Sequence, residues 1–189
     1  RTMSWIDQRP DDAMDGAFTA VGPELVRTVE PAAFREAMSR LGAAVHVVTT
    51  AGPGGKTGAT ATAVCSVSDA PPTLLVCLNR RSQTNPAVVE NGVFCINTLG
   101  ASGAEIADIF SGRTGVIGSD RFGSGEWTTL STGSPVLVSA VVAFDCRIVE
   151  VAERGTHSVL FCEVEAVRQG AASRGLIWLS REYHAIGAA

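Results

Sequence analysis

The sequence predicts a mainly β fold, an antiparallel barrel with a few short helices. Three observations carry this. β-branched and apolar residues gather in short runs at Ala44–Thr50, Thr73–Leu78 and Val93–Leu99. Two further stretches alternate, with Val136, Val138, Ala140, Val142, Phe144, Cys146 and Ile148 in one and Leu160, Cys162, Val164 and Ala166 in the other. Helical spacing is confined to brief segments. About six strands against few helices favour a closed antiparallel arrangement.

The elements follow in order. Residues 1–28 are polar, acidic and aperiodic, which predicts a mobile arm ahead of a single domain over 29–189. Phe34, Ala37, Met38 and Leu41 have helical spacing after Pro31, and Gly42 stops that helix. Ala44–Thr50 is the first strand, and Thr60–Ser68 the second. Gly52-Pro53-Gly54-Gly55 between them is turn chemistry, so the two form a hairpin. Pro71-Pro72 leads into the strand Thr73–Leu78. A short helix follows, with Asn85 as its cap, Pro86 in its first turn and Asn91-Gly92 at its end. After the strand Val93–Leu99, Ser102-Gly-Ala-Glu105 has the capping-box pattern and starts a helix carrying Ile106, Ile109 and Phe110. Gly112–Trp127 is glycine-rich and irregular. Strands at Val136–Ile148, Leu160–Ala166 and Leu176–Leu179 complete the chain, without repeats or low-complexity segments.

Composition narrows the function classes. The chain has 189 residues, enough for one well-buried domain. Apolar residues make up 46% and charged residues 18%, which leaves room for a second buried surface on oligomerisation. A net charge of −4 argues against a nucleic-acid binder. No apolar run approaches the roughly 18–20 residues of a membrane helix, and the N-terminal stretch lacks the apolar core of a secretion signal. These features predict a cytoplasmic protein with no membrane contact. Cys65, Cys77, Cys95, Cys146 and Cys162 form no Cys-x-x-Cys pair and read as small core hydrophobes, and no cluster has metal-ligand spacing.

Gly55-Lys56-Thr57 resembles the end of a phosphate loop, but Thr50 stands where that motif needs its first glycine. An alternating strand follows where a helix is required. The segment is therefore a hairpin tip. Ala59-Thr60-Ala61-Thr62-Ala63, just beyond it, has no bulky side chain. Such a strand either admits a flat ring against its backbone or packs tightly against another strand, and the residues alone leave both open. Asn79-Arg80-Arg81-Ser82-Gln83-Thr84 runs from a strand end into a helix start, with two arginines and two hydroxyls. That combination suits an anion, although a capped, solvated loop has the same composition. His157 follows the Gly155-Thr156 turn and either meets a ligand at the rim or is an ordinary surface histidine. His46, in an apolar strand, reads as a satisfied core residue.

Taken together, FREAMSRLGAAVHVVTT, TGATATAVCSVSDAPPTLLVCLNRRSQTNP, ENGVFCINTL, VAFDCRIVEV, GTHSVLFCEVEAV and LIWLSREYH resemble, in that order, the flavin reductase-like domain family. The likeness spans about residues 31–186 and is nearest to the reductases of pyrimidine utilisation and 4-hydroxyphenylacetate hydroxylation. It implies a Greek-key split β-barrel of the FMN-binding type, a homodimer, and hydride transfer from NADH, or NADPH, to FMN, or FAD. Reduced flavin would then pass to a separate monooxygenase. Carried over by position, Ala59, Thr60, Ala61, Thr62, Ala63, Cys65 and Ser66 would line the isoalloxazine and ribityl chain, and Arg80, Ser82 and Thr84 would hold the phosphate. Gly112 and Arg113 match a further flavin contact. His157 would position the nicotinamide, with Thr156 in place of the acidic residue often found before it. Arg181, Tyr183 and His184 match the C-terminal nicotinamide segment. A flavin-binding electron carrier and a non-catalytic flavin-binding subunit are the alternatives.

Overall fold

The computed structural model describes residues 28–171 and 174–187. The arm expected over 1–28 lies outside the described residues, save for Thr28.

In chain order the elements are α1 (Pro31–Ser39), β1 (Ala43–Ala44), β2 (His46–Thr50), β3 (Thr57–Ala61), β4 (Val64–Asp69), β5 (Pro72–Asn79), α2 (Thr84–Asn91), β6 (Val93–Thr98) and α3 (Ala104–Ser111). A 3-10 turn at Gly118–Gly123 precedes β7 (Trp127–Thr129), β8 (Pro135–Leu137), β9 (Val142–Arg154), β10 (His157–Gln169), β11 (Gly175–Leu179) and β12 (Glu182–Ile186). A seven-stranded sheet has the order β3-β2-β6-β9-β10-β5-β4, β1-β11-β12 form a smaller one, and β7 pairs with β8. Every pairing is antiparallel.

β2 explains why the first strand has no alternation. All five of its residues are buried, because both faces of the sheet are covered there. Val47 joins Leu99, Phe110, Leu137 and Leu176 on one side, and Val48 joins Val76, Phe94, Ile96 and Leu160 on the other. Polar cores stitch the strands. Asn97 donates to the Val47 carbonyl and to Thr49 Oγ1, both at 3.0 Å, and accepts from the Leu137 N–H at 2.7 Å.

The hairpin tip has a packing role. The Gly54 N–H donates to Asn91 Oδ1, and Asn91 Nδ2 donates to the Gly55 carbonyl, tying the tip to the end of α2. A Cβ at Gly52 would come within 2.6 Å of Asn91 Oδ1, so glycine is needed for this approach. Lys56, the lysine of the phosphate-loop likeness, sits 4.4 Å above the Phe122 ring.

Several expected boundaries are corrected. The strand expected over Thr60–Ser68 is two strands, β3 and β4, interrupted at Thr62-Ala63. They are the two edges of the large sheet, with no ladder between them, so the sheet is not closed by hydrogen bonding. The strand expected over Val136–Ile148 is likewise β8 and β9, because the Val141 N–H and the Val138 N–H leave for Thr98 and Glu126 carbonyls. Asn85 does not cap α2. Its side chain is buried and donates to the Leu78 carbonyl, while Ser82 Oγ accepts from the Asn85 N–H at 3.2 Å and does the capping. Ser102 makes no cap either: α3 begins at Ala104 with no side-chain cap bond.

Candidate active site

The largest of the cavities described, about 540 Å³, lies over β3 and its exit. That is within the several-hundred-Å³ range of ligand clefts. Its floor is Ala59–Ala63; Asn79, Ser82, Thr84 and His157 line it from the end of β5, the turn after it and the start of β10, and Phe110, Ile117 and Arg121 line it from α3 and the segment that follows. Two smaller hollows adjoin it, of about 210 and 450 Å³, and Thr62 borders all three.

β3 makes an unusual floor. As an edge strand it pairs with β2 on one side only, so its other row of N–H and C=O groups has no sheet partner. Gly58 lets α3 close in: a Cβ there would meet Phe110 at 2.9 Å. The Thr60 hydroxyl is committed, donating to the Ala107 carbonyl at 2.6 Å. Main-chain groups, rather than threonine hydroxyls, are therefore what β3 offers a ligand.

The anion-suited turn is built as a cradle. Ser82 Oγ donates to the Asn79 carbonyl at 2.7 Å and accepts from Asn85 N–H, holding the start of α2 in place. Buried Thr84 lies 3.4 Å from Thr57 Oγ1, joining this turn to the start of β3. Arg80 is directed elsewhere: its guanidinium pairs with Glu153 at 3.0 Å and does not line the cleft.

β9 and β10 meet in a two-residue turn, Gly155-Thr156, with Gly155 at φ +55°. This conformation explains the glycine. The Arg80 N–H donates to the Thr156 carbonyl, and His157 faces Asn79 across the ladder, so the histidine and the anion cradle are held as one unit. His157 Nδ1 lies 2.8 Å from Thr156 Oγ1, which leaves Nε2 as the ring nitrogen open to a ligand.

The C-terminal hairpin borders the second hollow. Arg113 pairs with Asp108 at 3.0 Å, sits 4.8 Å over the Trp178 ring, and shares Asp108 with the Tyr183 hydroxyl, also at 3.0 Å. Burial, reinforced by that bond to Asp108, pushes the Tyr183 hydroxyl up to about 12, so it stays protonated and donates. Arg181 pairs with Glu36 of α1 at 2.7 Å and borders the third hollow.

The structure thus gathers Ala59–Ala63, Ser82, Thr84 and His157 around one cleft, with Arg113 and Tyr183 at its neighbour. Cys65 and Ser66 are exposed on β4 and line none of these hollows. Gly112 ends α3 at φ +85°, and His184, bonded to the Leu179 carbonyl, sits outside them too. Phe110, Arg121 and Trp178 are lining residues that the sequence did not single out. Their signal would have been three-dimensional, since each comes from a segment remote from β3. Burial pushes the Cys77 thiol up, so the cysteine of the main cleft is a neutral group there. Among the described residues no three His, Cys, Asp or Glu side chains gather to hold a metal, and no helix is long and apolar enough to cross a membrane.

Residues 38–187 match the family described as flavin reductase like domain. Over 153 residues the chain is 58% identical to the FMN reductase (NADH) RutF of Ancylobacter novellus, covering 81% of this chain and 83% of that one. A solved Haemophilus somnus protein assigned to the flavin reductases superposes with a TM-score of 0.80 at 43% identity, over 84% of this chain and all of its own. BorF, the flavin reductase component of a bacterial two-component tryptophan halogenase, shares the fold at TM-score 0.78 and 23% identity, over 85% of this chain and 100% of its own.

Proposed function

The chain belongs to the flavin reductase-like domain family, and from that premise we propose that the cleft over β3 seats a flavin beside a nicotinamide. The protein is an NADH-dependent FMN reductase that transfers hydride to FMN and supplies the reduced flavin to a partner monooxygenase. FAD and NADPH are the variants of flavin and nicotinamide that the same chemistry admits.

The observation that carries the assignment of the site is the floor: five small residues running from the edge strand β3 into its exit, beside an anion cradle and a histidine that are held together. The pyrimidine edge of a flavin presents carbonyl, N–H and carbonyl in a row. An unpaired strand edge presents N–H and C=O groups in alternation, so the two are complementary. The residues fit the group in size as well, since Ala59, Ala61 and Ala63 leave the backbone approachable.

A flavin held there would supply the hydride acceptor, and a nicotinamide beside it the donor. Around that chemistry the chain positions rather than reacts. β3 holds the ring by its main chain, and its amides offset negative charge developing on the ring carbonyls. Ser82, Thr84 and the start of α2 take the phosphate. His157, whose Nε2 is open to the cleft, would help to position the nicotinamide. Arg113 and Tyr183, locked by Asp108, border the path by which the dinucleotide enters. Ile117 lines the cleft while staying exposed, so the site is open to solvent there, which suits a flavin that must leave.

In this reading the seven-stranded sheet is a split barrel, with Thr62-Ala63 joining its two edge strands along the chain and the Cys77 N–H bonded to the Ala63 carbonyl where the β4–β5 pairing begins. Exposed Val67, Val149, Val151 and Val167 on β4, β9 and β10 support a homodimer. The cytoplasm, where NADH is abundant, is its place of work.

A steady-state matrix tests the proposal: NADH and NADPH against riboflavin, FMN and FAD. Purified protein is expected to oxidise NADH with free FMN well above the uncatalysed rate. NADH consumption at the uncatalysed rate with every flavin would reject the enzyme.

A further inference from the structure

Arg121 is held by main chain alone. Its Nε donates to the Val116 carbonyl at 2.9 Å, and its Nη1 donates to the Gly58 carbonyl at 2.9 Å and the Phe110 carbonyl at 3.2 Å. None of these partners carries a formal charge. The described ion pairs engage Arg40, Arg80, Arg113, Arg147 and Arg181, and Arg121 is not among them. No described residue accepts a hydrogen bond from Nη2. A half-buried cation is thus locked in the wall of the main cleft with donors to spare.

Its surroundings favour the charge without neutralising it. Phe110 is in the last turn of α3, whose carbonyls form the negative end of the helix dipole. Gly58 follows Thr57, whose hydroxyl lies 3.4 Å from Thr84 Oγ1. Successive strand residues are about 3.3 Å apart, so the guanidinium reaches β3 one residue from the point where that strand meets the anion cradle. Ser82, Thr84 and Arg121 line one cavity, whereas Arg80 turns away to Glu153.

We propose that Arg121 is the cationic ligand of the flavin phosphate, completing the anion cradle in the cavity that it lines together with Ser82 and Thr84. The assignment rests on the flavin reading of the cleft. It moves the charge expected from Arg80 to a residue outside the Asn79–Thr84 turn. Guanidinium suits the task because it can use its remaining N–H groups on a phosphate oxygen while its other donors hold it rigid. A dinucleotide pyrophosphate shares this chemistry, and the test separates the two.

The experiment is flavin-fluorescence titration of the purified protein with FMN and with riboflavin, at low and high salt. It compares wild type, Arg121→Gln, Arg121→Lys and Arg80→Gln, with the KM for NADH measured alongside. Wild type should prefer FMN, and salt should shrink that preference. Arg121→Gln should weaken FMN about tenfold or more and leave riboflavin nearly unchanged, which also shows that the variant is folded. Arg121→Lys should recover part of the preference, and Arg80→Gln should retain it. Equal weakening of both flavins by Arg121→Gln, or no change in either, would overturn the proposal. So would a raised KM for NADH with the FMN-to-riboflavin ratio intact, which would place the charge on the dinucleotide. Wild type that binds neither flavin would instead defeat the flavin reading on which the proposal stands.

Discussion

At the residue scale the chain separates its groups by burial. His46, only 8% exposed, makes a 3.0 Å contact between Nδ1 and Thr98 Oγ1, and burial lowers its pKa from 6.5 to about 4. It was legible in the sequence as a satisfied core histidine because its neighbours Val45, Val47 and Val48 are apolar. The shift sets a pH dependence. Above pH 6.5 the imidazole is neutral in folded and unfolded chains alike. As pH falls from 6.5 towards 4 the unfolded chain takes up a proton that the folded chain refuses, so stability present above 6.5 is lost, by on the order of 3 kcal/mol in all. Thermal melts across that window should show the decline, and His46→Gln should flatten it; an unchanged slope in the variant would assign the loss to other groups. Glu36 and Glu165, lowered by their bonds to Arg181 and Arg147, act in a separate, more acidic window. Arg121 stayed hidden in the sequence for a converse reason: its partners Gly58, Phe110 and Val116 come from three segments, and all three contribute only backbone.

At the scale of elements, legibility followed side-chain pattern. β2, β5 and β6 were readable as apolar runs, and the hairpin from its glycines. The break at Thr62-Ala63 was not, since Thr60–Ala63 is uniformly small and gives no cue to where pairing changes from β2 to β5. Helix starts were misplaced for a similar reason: Asn85 has capping chemistry but is buried, and Ser82 does its work three residues earlier. The joining of β2, β6 and β8 depends on Asn97, which is fully buried and serves all three. Asn97→Ala would leave the Leu137 N–H and the Val47 carbonyl short of partners. At ~1–3 kcal/mol for each buried unsatisfied group, the loss should be about 3 kcal/mol, or roughly 6–12 °C in Tm. Calorimetry would show it, and a shift under about 2 °C would mean that water replaces the amide.

At the scale of the whole molecule, the fold brings two remote pieces, the cradle of Asn79–Thr84 and the turn before His157, to the edge strand that begins beyond the hairpin tip. The resemblance in the sequence carried the family, the reaction and eight of the cleft or cradle positions, Ala59–Ala63, Ser82, Thr84 and His157. It did not carry the lining residues Phe110 and Arg121, which come from α3 and the 3-10 turn after it. The account depends on a flat ring lying against the bare backbone of β3. A crystal structure of the protein soaked with FMN is the direct measurement. The isoalloxazine should stack within about 4 Å of the main chain at Ala59–Ala63, in van der Waals contact, with the phosphate among Ser82, Thr84 and Arg121. Density for FMN bound elsewhere, with β3 closed off by the protein's own side chains, would contradict it.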